Sequence, residues 1–139
     1  TGEVPRTTEF EKGMPAHEAW EGDRWQPDPL ILDDQSLVLN VRGKGIVILT
    51  GCSHAGAINI VRYAQQLSGE DRVHMIIGGL HLGGTVPDAV MAETVPALKE
   101  IAPRWLVPTH CTGWRAIHAL AAEMPGAFLQ NSVGTRYEL

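Results

Sequence analysis

A chain of 139 residues with 44% hydrophobic content is enough for one globular domain and falls short of two. A net charge of −5, with the 11 lysines and arginines scattered rather than blocked, excludes a phosphate-tracking basic face. No apolar run approaches the roughly 20 residues that span a bilayer, and two cysteines with no charged leader ahead of an apolar stretch read as a reduced, cytoplasmic protein with neither nucleic acid nor membrane as partner.

The chain opens on Thr1-Gly2-Glu3-Val4-Pro5-Arg6, without an initiator methionine, as if in the middle of something. Residues 1–36 hold Pro5, Pro15, Pro27 and Pro29 among many acidic side chains, and are expected to be an irregular opening segment within a single domain 1–139. Regular pattern begins with two β-branched and leucine runs, 37–41 and 46–49. Arg42-Gly43-Lys44-Gly45 between them reads as a hairpin turn.

Ala57, Ile60, Val61, Ala64 and Leu67 fall at helical spacing. Residues 73–77 form a compact strand ending in Gly78-Gly79. A helix is expected from about 88 to 101, kinked or restarted at Pro96. Residues 105–107 make the next strand, stopped by Pro108. Thr112 is the expected N-cap of a helix that buries Ala116, Ile117, Leu120, Ala121 and Met124. Two short strands, 127–130 and 135–138, are expected to close the chain.

The fold class is therefore α/β. The hairpin argues for a mixed β-sheet with helices on one face. Strands 37–42 and 46–50 are apolar at both sets of alternate positions, so both sheet faces want cover, and the helices supply only one layer.

Three histidines occupy equivalent places. His54, His81 and His110 each follow a strand, where ligands bind in α/β sheets, and neutral imidazole suits zinc and iron. A solitary loop histidine is more often a solvated or hydrogen-bonded side chain, and only the repetition at three strand ends brings the metal reading level with that one. His17, His74 and His118 read as surface or structural groups. Cys52 and Cys111 offer soft ligands or nucleophiles, with small buried residues the better reading. Asp33-Asp34 is a turn or cap more often than a carboxylate for a metal. Gly78-Gly79-Leu80-His81-Leu82-Gly83-Gly84 lacks the lysine and hydroxyl of a nucleotide loop.

Three ordered motifs go further: Thr50-Gly51-Cys52-Ser53-His54-Ala55-Gly56, Ile77-Gly78-Gly79-Leu80-His81-Leu82 and Pro108-Thr109-His110-Cys111-Thr112-Gly113. Together with the opening residues and Asp33-Asp34-Gln35-Ser36-Leu37, they resemble the later motifs of metallo-β-lactamase-fold hydrolases. The branch they resemble is that of the dihydropterin ribofuranosylaminobenzene-phosphate synthase-like metal-dependent hydrolases.

The resemblance implies a four-layer αββα sandwich of which this chain corresponds to the second half. His54 matches the family's third metal motif and His110 its last, while His81 stands where many relatives place a bridging aspartate or a cysteine. It implies a divalent transition metal, zinc first and iron or manganese as alternatives, held by His54, His81 and His110, with Cys52, Ser53 and Thr112 behind them. The family's principal motif, His-x-His-x-Asp-His, is not among these residues, so the two-metal site is not complete in one copy of the chain and no catalytic residue is assigned.

Three functions compete. The first is the C-terminal half of a hydrolase acting on a small-molecule ester or phosphoester, completed by a separate N-terminal half. The second is a self-paired homodimer of half-folds with a reduced metal site. The third is a non-catalytic remnant or interaction module. The four tryptophans, Trp20, Trp25, Trp105 and Trp114, read as packing residues.

Overall fold

The computed structural model describes residues 1–84 and 86–139. Two strands, β1 (Glu18–Glu21) and β2 (Arg24–Pro27), make a small antiparallel hairpin on which Trp20 and Trp25 pair edge to face, ring centroids 5.5 Å apart. The opening segment is thus not wholly irregular. Alternation is hard to see in a four-residue strand flanked by prolines, which hid this hairpin at the level of sequence.

The main sheet runs in the order β3 (Ser36–Val41), β4 (Gly45–Thr50), β5 (Val73–Gly78), β6 (Trp105–Pro108). β3 and β4 form the expected hairpin, and β4, β5 and β6 are parallel, so the sheet is mixed. Helices α1 (Ala57–Ser68), α2 (Asp88–Ile101) and α3 (Trp114–Glu123) occupy the segments between and after the parallel strands, the arrangement parallel crossovers require.

The register sorts the two faces. Ile46, Ile48, Ile76 and Leu106 join Ile58, Ile60, Val61, Leu98 and Leu120 of the helices in the main core. The opposite face carries a smaller core of Val47, Met75 and Val107, against which Val41, Ile77, Trp105, Leu129 and Tyr137 pack. Leu37 and Leu39 lie opposite Leu49 and Val47 in the hairpin and so share this second face. There they are 68% and 47% exposed, with Leu49 at 37%. The chain's own tail covers only the β6 side, and the β3 side stays open to water.

Several expectations need correcting. Helix α2 runs continuously through Pro96, because Pro96 and Ala92 both lie on its exposed face, where the carbonyl freed by the missing N–H meets water. Leu67 is exposed at the end of α1, whereas Ile58 is buried in its place. Along α3, Ala116, Leu120 and Met124 are buried while Ile117 and Ala121 are only half-buried. Thr112 is not an N-cap: α3 begins after Gly113 with no side-chain cap, and the Thr112 hydroxyl accepts the Leu80 N–H at 3.2 Å. Of the closing strands, 127–130 reduces to one bridge from Phe128 to Leu106, and 135–138 is not a strand.

The opening segment grips the start of α1. Gly56 offers no side chain to cap that helix. Glu11 does so from 47 residues away: its carboxylate accepts the N–H groups of Ile58 and Asn59, both at 3.0 Å. Asn59 returns the contact, its Oδ1 accepting the N–H groups of Thr7 and Thr8 at 2.8 and 2.9 Å, while its amide donates to the Ala55 carbonyl at 2.8 Å. A Cβ on Gly56 would run into the Glu11 side chain, so only glycine fits there.

Candidate metal-ligating centre

The three loops that leave β4, β5 and β6 converge beyond the carboxyl ends of the parallel strands. Their backbones are knitted together. Gly79 N–H donates to Gly51 C=O at 2.9 Å and Thr109 N–H to Gly78 C=O at 2.8 Å. The Ser53 hydroxyl donates to Gly79 C=O at 2.6 Å and the Thr50 hydroxyl to the same oxygen at 3.0 Å. Ser53 and Thr112 are both buried and both spend their hydroxyls on this bracing.

His54 sits on the β4–α1 loop with His81 beside it, ring centroids 4.7 Å apart and nearly perpendicular. Asp34, its side chain only 5% exposed, faces His54 Nδ1 at 3.9 Å. The other Asp34 oxygen accepts the Ala55 N–H at 3.0 Å. At 3.9 Å the carboxylate is a charged neighbour of Nδ1 rather than its hydrogen-bond acceptor. Arg6 holds the loop from behind, donating to the carbonyls of Leu30 and of His54, the latter at 3.2 Å.

His81 is half-buried, with its Nδ1 buried and without a hydrogen-bond partner. Burial lowers its pKa below the ordinary imidazole value; His54 and then His110 push the same way, while Asp34 opposes. A neutral imidazole with an unsatisfied buried nitrogen is chemically ready to accept a cation. Its backbone sits at φ 45°, in the left-handed region, as does that of Ser53 at φ 61°.

His110 turns toward the cysteines. Its Nε2 is 3.1 Å from Cys52 Sγ and its Nδ1 is 3.0 Å from the Thr109 hydroxyl. Cys111 Sγ donates to the Cys52 carbonyl at 3.4 Å. Among the described residues, Cys52, His110 and Cys111 form a group whose donor atoms all lie within 4.8 Å of one another. Burial pushes the Cys111 thiol up to about 11. The structure thus pairs His54 with His81 and groups His110 with the two cysteines.

Two groups weigh more in the structure than in the sequence, which favours a turn or cap for Asp33-Asp34 and small buried residues for the cysteines. Asp34 is buried beside His54. The sulfur cluster joins side chains 58 and 59 positions apart, which no local spacing reveals; the available signal was that each cysteine lies beside a histidine.

Gly79 lies against this cluster. A Cβ there would strike Cys111 Sγ and approach the His110 ring to within 2.8–2.9 Å, although its φ is not in the left-handed region. Gly79→Ala is therefore expected to act by displacement alone. It should move the His110 imidazole resonances in a two-dimensional NMR spectrum and lower metal affinity by about 10–100-fold, the loss usual when a ligand's support is disturbed. Unchanged resonances and affinity would show the loop to be slack.

A pocket of about 420 Å³ opens beside His54 and His81. Its wall is largely apolar, with Phe10, Met14, Leu80 and Leu82, and Lys12 and His17 bring polar groups from the opening segment. Among the described residues, no helix is long and apolar enough to cross a membrane.

No protein-family model matches the chain. It is 31% identical over 97 residues to the 7,8-dihydropterin-6-methyl-4-(beta-D-ribofuranosyl)-aminobenzene-5'-phosphate synthase of Methanocaldococcus jannaschii, across 70% of this chain and 33% of the synthase. It is 36% identical over 121 residues to an uncharacterised protein of the same organism, across 87% of this chain and 42% of that one. Tm1679, a metal-dependent hydrolase of the beta-lactamase superfamily, superimposes with a TM-score of 0.83 at 28% identity, covering 99% of this chain and 52% of that structure. The chain thus spans less than half the length of these curated relatives and about half of the solved structure.

Proposed function

Starting from a chain that has the fold of one half of a metallo-β-lactamase-superfamily hydrolase, we propose that it is the metal-binding half of such a hydrolase and acts on an ester or phosphoester. His54, His81 and His110 hold a divalent metal, zinc first, with iron or manganese as alternatives. The observation that carries this reading is the buried, unpartnered Nδ1 of His81 packed against His54 at the edge of the pocket. Imidazole nitrogens, one of them buried and unpartnered, with a carboxylate nearby, fit such an ion.

When bound, such a metal polarises the oxygen of the bond to be cleaved and lowers the pKa of water. The chain's own residues do the rest. Asp34 braces the His54 loop through the Ala55 N–H and sets a negative charge beside His54, the Ser53 and Thr112 hydroxyls lock the loops that carry the imidazoles, and the wall of Phe10, Met14, Leu80 and Leu82 takes the organic part of the substrate out of water.

The open part of the second sheet face, with Leu37, Leu39 and Leu49, supports a partner layer: a separate N-terminal half that supplies the rest of the site, or a second copy of this chain. A self-paired half-fold with a reduced metal site is the second reading, and the same exposed leucines favour it.

The test is metal content of the purified chain after reconstitution with zinc, iron and manganese, alongside its mass by light scattering. Turnover of nitrophenyl ester and phosphodiester substrates follows. About one equivalent of metal with measurable turnover supports the hydrolase half. A chain that stays metal-free overturns it, and a strictly monomeric chain removes self-pairing.

A further inference from the structure

The two cysteines are the chemistry that the hydrolase reading leaves idle. Cys52 follows β4 and Cys111 follows β6, yet their sulfurs and a ring nitrogen of His110 converge within 4.8 Å, with Cys52 Sγ 3.1 Å from His110 Nε2. Tetrahedral zinc bonds to thiolate and imidazole, about 2.3 and 2.0–2.1 Å long, set their donors roughly 3.5–3.8 Å apart, so an ion would open the 3.1 Å pair by a few tenths of an ångström and hold every donor inside the 4.8 Å span. The group is also supported. The Thr109 hydroxyl lies 3.0 Å from His110 Nδ1, which leaves Nε2 toward the sulfurs, and bare Gly79 backbone fills the space behind them. Both thiols are free.

We propose that Cys52, His110 and Cys111 form a soft metal site, with two sulfurs and one nitrogen, that takes a thiophilic ion such as Cu(I), Zn(II) or Cd(II). The donor set separates it from the harder His54, His81 and Asp34 side: sulfur favours Cu(I) and Cd(II) over iron and manganese, while zinc suits both sets of donors. Each thiol releases its proton as its sulfur bonds the ion, so one divalent ion displaces two protons. His110 cannot serve both sides at once. A thiophilic ion held here therefore takes His110 from the site proposed above, and the inference shares that one residue with the hydrolase reading without depending on turnover.

The probe is cadmium added to the reduced 139-residue chain without air. One equivalent should raise a thiolate-to-cadmium charge-transfer band in the ultraviolet. The band should vanish in Cys52→Ser and Cys111→Ser, with affinity falling by more than about 100-fold, beyond the 10–100-fold usual for an outer support. It should persist in His54→Ala and His81→Ala. A band that survives either serine variant, or disappears in His54→Ala, overturns the inference.

Should a serine variant not fold, the unaltered chain still decides. One equivalent of cadmium must protect both thiols from an aromatic disulfide reagent, and equal reactivity with and without the ion overturns the site. Because His54→Ala abolishes only the hydrolase reading, failure of one proposal is distinguishable from failure of the other.

Discussion

With Cys52 and Cys111 both changed to serine, so that no sulfur group holds zinc, His54→Ala is expected to bind zinc more than about 100-fold more weakly than the same protein with His54 in place, a larger loss than an outer support would cause. The imidazole is three-quarters buried between the Asp34 carboxylate and the His81 ring, so nothing else in the loop reaches its place. The result is read two ways. Elemental analysis after dialysis against buffered zinc should find metal in the serine-substituted protein that keeps His54 and little in the one that lacks it. Thermal unfolding should agree, since an ion that binds only the folded state at a hundredfold excess over its Kd stabilises it by about 2.7 kcal/mol. That zinc-dependent rise should be absent from the variant. An equal zinc-induced shift in both proteins would make His54 a bystander and sink the proposed ligand set.

The largest effect on stability is expected at Asn59. Its side chain is 1% exposed and accepts from two backbone N–H groups of the opening segment while donating to the Ala55 carbonyl. Asn59→Ala strands those partners in a dry site, at roughly 2–4 kcal/mol in total. In a chain of this size that is a fall of roughly 10 °C in Tm.

Glu11, beside it, adds a dependence on pH. Burial raises its pKa above the ordinary 4.5, even though the Ile58 and Asn59 N–H groups pull it down. The folded chain then holds that proton more readily than the unfolded one. This contribution to stability is greatest in acid and is lost as pH rises from about 4.5 through the raised folded value. Glu70, Glu9 and Glu123 are shifted downward by Arg72, Lys12 and Lys99, so their slopes have the opposite sign and lie at lower pH. Subtracting the unfolding free energy of Glu11→Gln from that of the unaltered chain, pH by pH, isolates the Glu11 slope. A flat difference between pH 4.5 and neutrality would contradict its burial.

The sheet and its helices were legible because period and punctuation agreed. Runs of Ile, Val and Leu bounded by glycine and proline set β3 to β6, and 3.6-residue spacing set α1 and α3. The strand-end positions of His54, His81 and His110 followed from that order. What stayed hidden rests on contacts between distant residues: Glu11 capping a helix that begins 46 residues later, Asp34 meeting His54, and Cys52 meeting His110. Asn59 carried a signal, a polar side chain set between Ile58 and Ile60 on an apolar helix face, and buried polar groups there require partners. Pro96 costs α2 a hydrogen bond without ending the helix, lying on the exposed face where the carbonyl it orphans meets water.

The left-handed backbone of His81 and Ser53 sets stability against use. Only glycine rests there without penalty, and each non-glycine residue costs about 1 kcal/mol or more. A screen that rewarded heat resistance alone would therefore enrich His81→Gly, and with it erase the imidazole from the pocket. Variants recovered from such a screen would unfold later and bind metal less.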